Sequence, residues 1–441
     1  MDLFSQNKIV LSLAILAVGT AAVFWPGFLI GGIVIFGTIF LAWQSPTFGI
    51  GLTLAAAFLS EFGRVELDGF SFLMLDLVAP IILGIWLFQK FWQKEKIEFD
   101  RAAVWLLIFW LIAITSLAVG NLELSSAEFQ FAFLRLLRFI TISGLFLVAR
   151  DLPKKAAEKS LRILFLEGTI FALAGFVLLQ LIPDFQEAGL ADIGWDPHIG
   201  RLTSTFLDPN FAAGAFAFLL ALLGGKFLRT KILRTQVWFS ILGGIFGVAL
   251  LLTFSRSGLL ALGISGLVLG TWANRKILLA MIIVGVLAIS ASPRLAERVS
   301  ELGQSVSSFG ETSLQVLDPT AQLRVESWQE GWRIFAENPI LGSGFGTYKF
   351  EQNFADSDSH AATGSDASLL NLAATTGILG FLAFVVFLVN LFWVNLQAKN
   401  WGFLAALVGL LVHSIFVNSL FFAPLETLFF ISAGLANRGK I

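Results

Sequence analysis

Arg256 lies in Thr253-Phe254-Ser255-Arg256-Ser257-Gly258, a turn between two apolar blocks that is too short to leave a membrane interface. A guanidinium there can fork two hydrogen bonds to a phosphate; the plainer alternative is an arginine snorkelling to lipid headgroups. Arg201 opens Arg201-Leu202-Thr203-Ser204-Thr205-Phe206-Leu207-Asp208-Pro209-Asn210. In that stretch Asp208 reads as an N-cap and Pro209 as the first turn of a helix. Arg324 precedes Trp328 on a segment with amphipathic spacing and is either a ligand group or an exposed helix residue.

Arg135 and Arg138 are placed differently, inside an apolar block and three residues apart, hence on one helix face. Asp76 falls at a similar depth in another block. Ionisable groups within a membrane mark function by default, and a buried Asp76–Arg135 or Asp76–Arg138 pair that only ties helices together is equally consistent with the pattern. Candidate bases follow: Asp356-Ser357-Asp358-Ser359-His360, then Asp366 at the start of the next apolar block. Histidine titrates near neutrality, and a desolvated carboxylate can be raised toward it. A solvated loop accounts for the same run, and the Asp-Ser-Asp spacing is too common to establish a metal site, so none is expected. Gly342-Ser343-Gly344-Phe345-Gly346 follows a helical segment rather than a strand and reads as a flexible turn after Pro339, not a nucleotide loop. His413, Asn418 and the nearby Glu426 fit interhelical hydrogen bonding.

The elements that must hold these residues are membrane helices. Of 441 residues, 57% are hydrophobic and only 13% charged, against about a quarter charged in a soluble domain. The apolar residues come in blocks of the length that crosses a bilayer, roughly 20 residues. The sequence therefore predicts an all-α polytopic membrane helix bundle of about 12–14 spans. Blocks fall at 9–25, 27–42, 48–60, 70–89, 103–119, 129–149, 161–182, 208–225, 237–254, 257–273, 276–291, 367–395, 401–418 and 420–435. The third is short enough to be re-entrant. Net charge is −1, which gives no reason to expect a nucleic-acid partner, and the absence of cysteine excludes disulfides and thiolate chemistry.

Loop charge sets an orientation. Lys90 to Arg101, Arg150 to Arg162, Lys226 to Arg234, Arg275 with Lys276, Lys399, and Arg438 with Lys440 alternate along the chain with acidic or neutral loops. The positive-inside rule makes the basic set cytoplasmic, together with both termini. The organisation expected is N-terminal transmembrane helices over 1–200, transmembrane helices with the outer Arg motifs over 201–291, a large periplasmic loop over 292–366, and C-terminal transmembrane helices over 367–441. Within the loop, Ala321 to Ala336 reads as an amphipathic helix ending at Asn338-Pro339.

Several stretches together resemble the O-antigen ligase and O-antigen polymerase family of bacterial membrane glycosyltransferases. They are Arg201 to Asn210, the Thr253–Gly258 turn, Arg324-x-x-x-Trp328 followed by Glu337 to Gly346, Leu369 to Gly380, and His413-Ser414-x-x-x-Asn418. The resemblance covers about residues 200–435; the N-terminal half matches in hydropathy only. It implies the C fold of integral-membrane glycosyltransferases (GT-C) in the inner membrane, acting without metal or cofactor. It also implies transfer of a glycan from an undecaprenyl-diphosphate carrier to a hydroxyl on the periplasmic face. The acceptor is a carrier-linked glycan in polymerases, lipid A core in ligases, and a protein Ser or Thr in related transferases. Family ligases usually carry His and Glu where this sequence has Asp366 and Thr375, with His360 the nearest histidine. That departure favours the polymerase.

The residues carried forward are Arg256, Arg324, His360 and Asp366 for catalysis, and Arg201, Arg135, Arg138, Asp76, Trp328 and His413 for substrate. The competing reading is a transporter for an anion or a lipid-linked sugar, which the intramembrane charges would suit. Against it, no pair of similar halves is visible.

Overall fold

The computed structural model describes residues 26–67, 70–120, 124–190, 195–307, 319–353 and 364–438. The apolar blocks that fall within them fold as helices. In chain order these are α1 (Pro26–Gln44), α2 (Pro46–Phe58), α3 (Leu75–Trp92), α4 (Arg101–Gly120), α5 (Ser126–Asp151), α6 (Lys154–Leu181), α7 (Pro209–Arg229), α8 (Leu233–Leu252), α9 (Arg256–Trp272) and α10 (Arg275–Ala291). There follow the amphipathic α11 (Pro293–Ser307) and α12 (Pro319–Glu337), the short α13 (Tyr348–Glu351), then α14 (Ser368–Gln397), α15 (Trp401–Phe416) and α16 (Ala423–Ala436). The block at 9–25 lies outside the described residues. This is an all-α polytopic membrane protein.

Among the described residues, α3, α4, α5, α6, α7, α8 and α14 are each long and apolar enough to cross a membrane. Helix α10 with the start of α11 forms an eighth apolar unit, bent by 115° where Pro293 opens the amphipathic segment. The remaining apolar helices are shorter. Helix α2 has 13 residues, in line with the expectation of a short third block. Apolar side chains cover both the inside and the outside. Phe109, Phe146, Phe384, Phe387 and Phe430 are almost wholly buried, whereas Phe91, Leu111, Leu181 and Leu287 are exposed. Helix α10 has no buried residue at all. Such surfaces suit lipid rather than water, since a water-soluble chain rarely leaves large contiguous apolar patches open.

The structure corrects one block boundary. Residues 70–72 do not begin a helix; they form the second strand of an antiparallel hairpin, Val65–Leu67 with Phe70–Phe72. Their apolar character serves packing against α5, through Phe70 and Phe131 with ring centroids 5.7 Å apart.

The basic loops gather at one end of the bundle. Lys90 Nζ lies 2.7 Å from both Glu95 and Asp151, and Arg150 lies 2.9 Å from Asp100. Asn437 also donates to Asp100, and Arg229 donates to the Lys399 carbonyl. The arginine motifs of residues 201–324 gather around the α8–α9 turn.

Candidate functional site

The arginine motifs converge because the segment ahead of α7 lies along the turn between α8 and α9. Leu202 N–H donates to the Leu252 carbonyl at 2.9 Å, and Arg201 Nε to the Thr253 carbonyl at 2.9 Å. Asn210 Oδ1 accepts from both Arg201 Nη2, at 3.1 Å, and the Ser255 hydroxyl, at 2.9 Å. Local sequence builds each end. Asp208 caps α7 by accepting from the Asn210 and Phe211 amides, and Ser255 caps α9 through the Gly258 amide. Capping places Arg256 in the first turn of α9, where the unpaired amides of the helix already favour an anion.

In this structure Arg256 is not presented bare. Its Nη1 is 3.4 Å from Glu301 on α11, and Arg298 shares the same carboxylate at 2.8 Å. Arg294, on the same amphipathic helix, donates to the Gly200 and Ile199 carbonyls and sits 4.4 Å over the Phe254 ring. Arg324 is on α12, close enough to matter electrostatically: Arg201 is pushed down to about 10, chiefly by burial, with Arg298, Arg294 and Arg324 adding to the fall and Asp208 opposing it. An arginine at about 10 is still charged at neutral pH. Arg201, Arg256, Arg294 and Arg298 thus form a largely cationic cluster around the α8–α9 turn, with Glu301 among them, and Arg324 is near enough to Arg201 to add to its depression. Sequence reasoning named three of these and missed Arg294 and Arg298. The signal available was the amphipathic spacing of α11.

A second group forms a cavity of about 420 Å³ that shares the 201–211 segment with the cluster, since Asp208 and Phe211 line it. Arg135, Arg138, Asn371, Thr375, Asn418 and Glu426 also face it. Asp76 and Arg138 are paired: Arg138 Nε and Nη2 each lie 2.6 Å from one carboxylate oxygen, and Nη2 also donates to the Ser71 carbonyl. This is the helix-tying pair the sequence offered as an alternative, with Arg138 as the partner chosen. Arg135 instead sits 4.8 Å over the Phe131 ring and lines the cavity.

The other named residues divide. Asp366 is buried, and its amide donates to Ser327 on α12 at 2.9 Å, so it joins α12 to the start of α14 without lining the cavity. Trp328 packs on Phe416 of α15 at 6.1 Å. His413 is fully buried, its Nδ1 2.6 Å from the Ser419 hydroxyl. It is packed so tightly on α7 that a methyl added at Gly214 would lie 2.8 Å from Cε1. His360, with the Asp356 and Asp358 run, lies outside the described residues. Asp196, His198 and Asp208 each offer one atom within 4.8 Å of the others, a grouping able to hold a metal ion. One oxygen of Asp208 is already used in capping.

Gly342 to Gly346 is a turn but not a flexible one. Helix α14 is broken at Gly377, which has φ 64° and ψ −170°. The glycine segment fills the break. The Ser343 and Gly344 amides donate to the Ala374 and Thr375 carbonyls at 3.0 and 3.1 Å, and the Ile378 amide donates back to Pro339 at 2.8 Å. Ser116 of α4 adds a bond to the Thr375 carbonyl at 2.7 Å. Backbone groups released by a broken membrane helix require such partners. Gly342, Gly344 and Gly346 all have positive φ, and a methyl on Gly342 would come within 2.3 Å of the α14 backbone. The glycines are there for close approach.

Fold and site thus define a multi-pass membrane protein with a polar cavity and a cationic cluster sharing one segment. Within it, residues 241–385 match the family model of the O-antigen ligases. The match takes in the Thr253–Gly258 turn, α11, α12 and the glycine interlock, and it supports both the family resemblance and a glycan-transferring role in the membrane. No curated protein matches the chain.

Proposed function

We propose that this protein transfers a glycan from an undecaprenyl-diphosphate carrier to a hydroxyl acceptor on the periplasmic face of the bacterial inner membrane, without metal. The observation that supports this reading is the meeting of Arg201 with the turn that carries Arg256, with Arg324 near enough to influence Arg201, within or beside the region matched to the O-antigen ligase family. A diphosphate is already a good leaving group. The transition state needs its growing negative charge met by donors fixed in advance, usually the largest electrostatic contribution in such sites. Asp366 at the position where ligases usually have His favours polymerisation, with a second carrier-linked glycan as acceptor, over transfer to lipid A core or a protein hydroxyl.

The test is purified protein with a lipid-diphosphate-linked glycan, reading chain length and transfer to a second acceptor. Transfer is expected, and it should survive EDTA. Arg201→Lys, Arg256→Lys and Arg324→Lys should each keep charge but lose the planar fork, with turnover falling about 100-fold. Near-normal turnover in all three would leave headgroup snorkelling as their role. Loss of transfer in EDTA, restored by a divalent ion, would turn attention to Asp196, His198 and Asp208. Stoichiometric movement of intact carrier-linked glycan across a vesicle, with no new glycosidic bond, would favour the transporter.

A further inference from the structure

We propose that Glu426 takes the proton from the acceptor hydroxyl, with the cavity it lines as the acceptor-sugar subsite; this rests on the glycan-transfer reading above.

Glu426 stands in the first turn of α16 and is 2% exposed. It faces the 420 Å³ cavity, and its Oε1 is buried with no hydrogen-bond partner among the described residues. Asn418 Oδ1, on the same cavity, is in the same condition. Both atoms are acceptors. Buried polar atoms in folded proteins are nearly always matched, and exceptions call for an explanation. Two cavity-lining residues, each with a buried unmatched acceptor, suit a ligand rich in O–H donors. Phe421 and Phe422 also line it and give apolar contact for the C–H groups of a sugar, and Arg135 lines the same cavity.

The other carboxylates of the cavity are committed or open to solvent. Glu61 is 3.7 Å from Arg64, Asp208 caps α7, and Asp196 is exposed. Asp76 does not line the cavity and is bound bidentately by Arg138. Asp366, the carboxylate the sequence put forward, does not line the cavity. Among the described residues, Glu426 is the carboxylate lining the cavity that has neither a cation, a capping role nor solvent exposure to engage it. In the step, the acceptor O–H bond breaks and its proton passes to the Glu426 carboxylate. The freed electron pair forms the bond to the anomeric carbon. The bond from that carbon to the diphosphate oxygen breaks, and its pair leaves on the phosphate, toward the arginine cluster. The proton on Glu426 is then released to water. The two ends of the reaction meet along the 201–211 segment, which carries Arg201 on the cluster and lines the cavity with Asp208 and Phe211.

The experiment uses the full chain in detergent with the lipid-diphosphate glycan and two nucleophiles, the natural acceptor hydroxyl and azide. Azide is already an anion and needs no base. Glu426→Gln should lower transfer to the hydroxyl by about 100-fold or more and leave carrier-lipid binding unchanged. Formation of glycosyl azide should stay near the wild-type azide rate in Glu426→Gln and in Glu426→Ala. Hydroxyl transfer within about threefold of wild type in Glu426→Gln, below the usual contribution of a general base, overturns the proposal. An equal loss with azide in both variants also overturns it, and makes Glu426 a packing residue. A wild-type protein that forms no glycosidic bond at all removes the glycan-transfer reading, and this role falls with it. Transfer by wild type that is unchanged in the variants removes Glu426 alone.

Discussion

Asp76 and Arg138 show what becomes of a buried charge once it has a partner. Both donors of the guanidinium edge are used on one carboxylate, and the pair joins α3 to α5. Replacing one member of such a pair leaves the other buried and uncompensated, at a cost of about 3–5 kcal/mol. Asp76→Asn is therefore expected to lower the unfolding temperature in detergent sharply, and the transfer rate only through the loss of folded protein. An unchanged unfolding temperature with transfer abolished would instead place Asp76 on the substrate. The sequence made this pairing legible, because charge inside an apolar block must find opposite charge nearby. It did not make Arg138 the choice over Arg135, since both share a face. Glu426 was visible only as a neighbour of His413 and Asn418. A glutamate in the first turn of a helix is ordinary, and it takes the fold to show that this one lines a cavity and has one buried oxygen unmatched.

Helices were the most readable elements, because an apolar block about 20 residues long has one stable form in a bilayer. The hairpin at 65–72 and the glycine interlock were not readable in this way. Phe70 to Leu73 looked like the start of an apolar helix. The glycines of 342–346 looked like slack in a loop, because the helix they fill comes later in the chain. Gly377 tests the interlock. Its φ of +64° costs an L-residue roughly 1–2 kcal/mol. In addition, a methyl there would lie 2.2 Å from the Ile340 carbonyl carbon and oxygen. Gly377→Ala should therefore destabilise by more than the backbone cost alone and expose 338–346 to protease. A variant with wild-type unfolding temperature and protease pattern would mean that the break is not rigidly held.

At the scale of the whole molecule, charge is sorted by end. Ion pairs collect Lys90, Asp100, Arg150 and Asp151 at one end, while Arg201, Arg256 and Arg324 collect around α9, α11 and α12. The alternation of basic and acidic loops along the chain divides these residues into the same two groups, and a few helices are too short for length alone to fix the number of crossings. The absence of cysteine makes orientation directly measurable. A cysteine at exposed Gln329 should react with a membrane-impermeant reagent in intact spheroplasts, and one at exposed Lys154 only after lysis. The opposite pattern would reverse the orientation and with it the periplasmic placement of the reaction.

The break in α14 also sets an order of biogenesis. The carbonyls of Ala374 and Thr375 and the amide of Ile378 depend on Pro339 to Gly344, and that segment leaves the ribosome first. The partners that the break in α14 needs are therefore synthesised before α14 itself. A broken α14 without that segment would leave backbone groups short of partners, which a membrane does not supply. The chain, read from its N-terminus, lays down the socket before the piece that fits it.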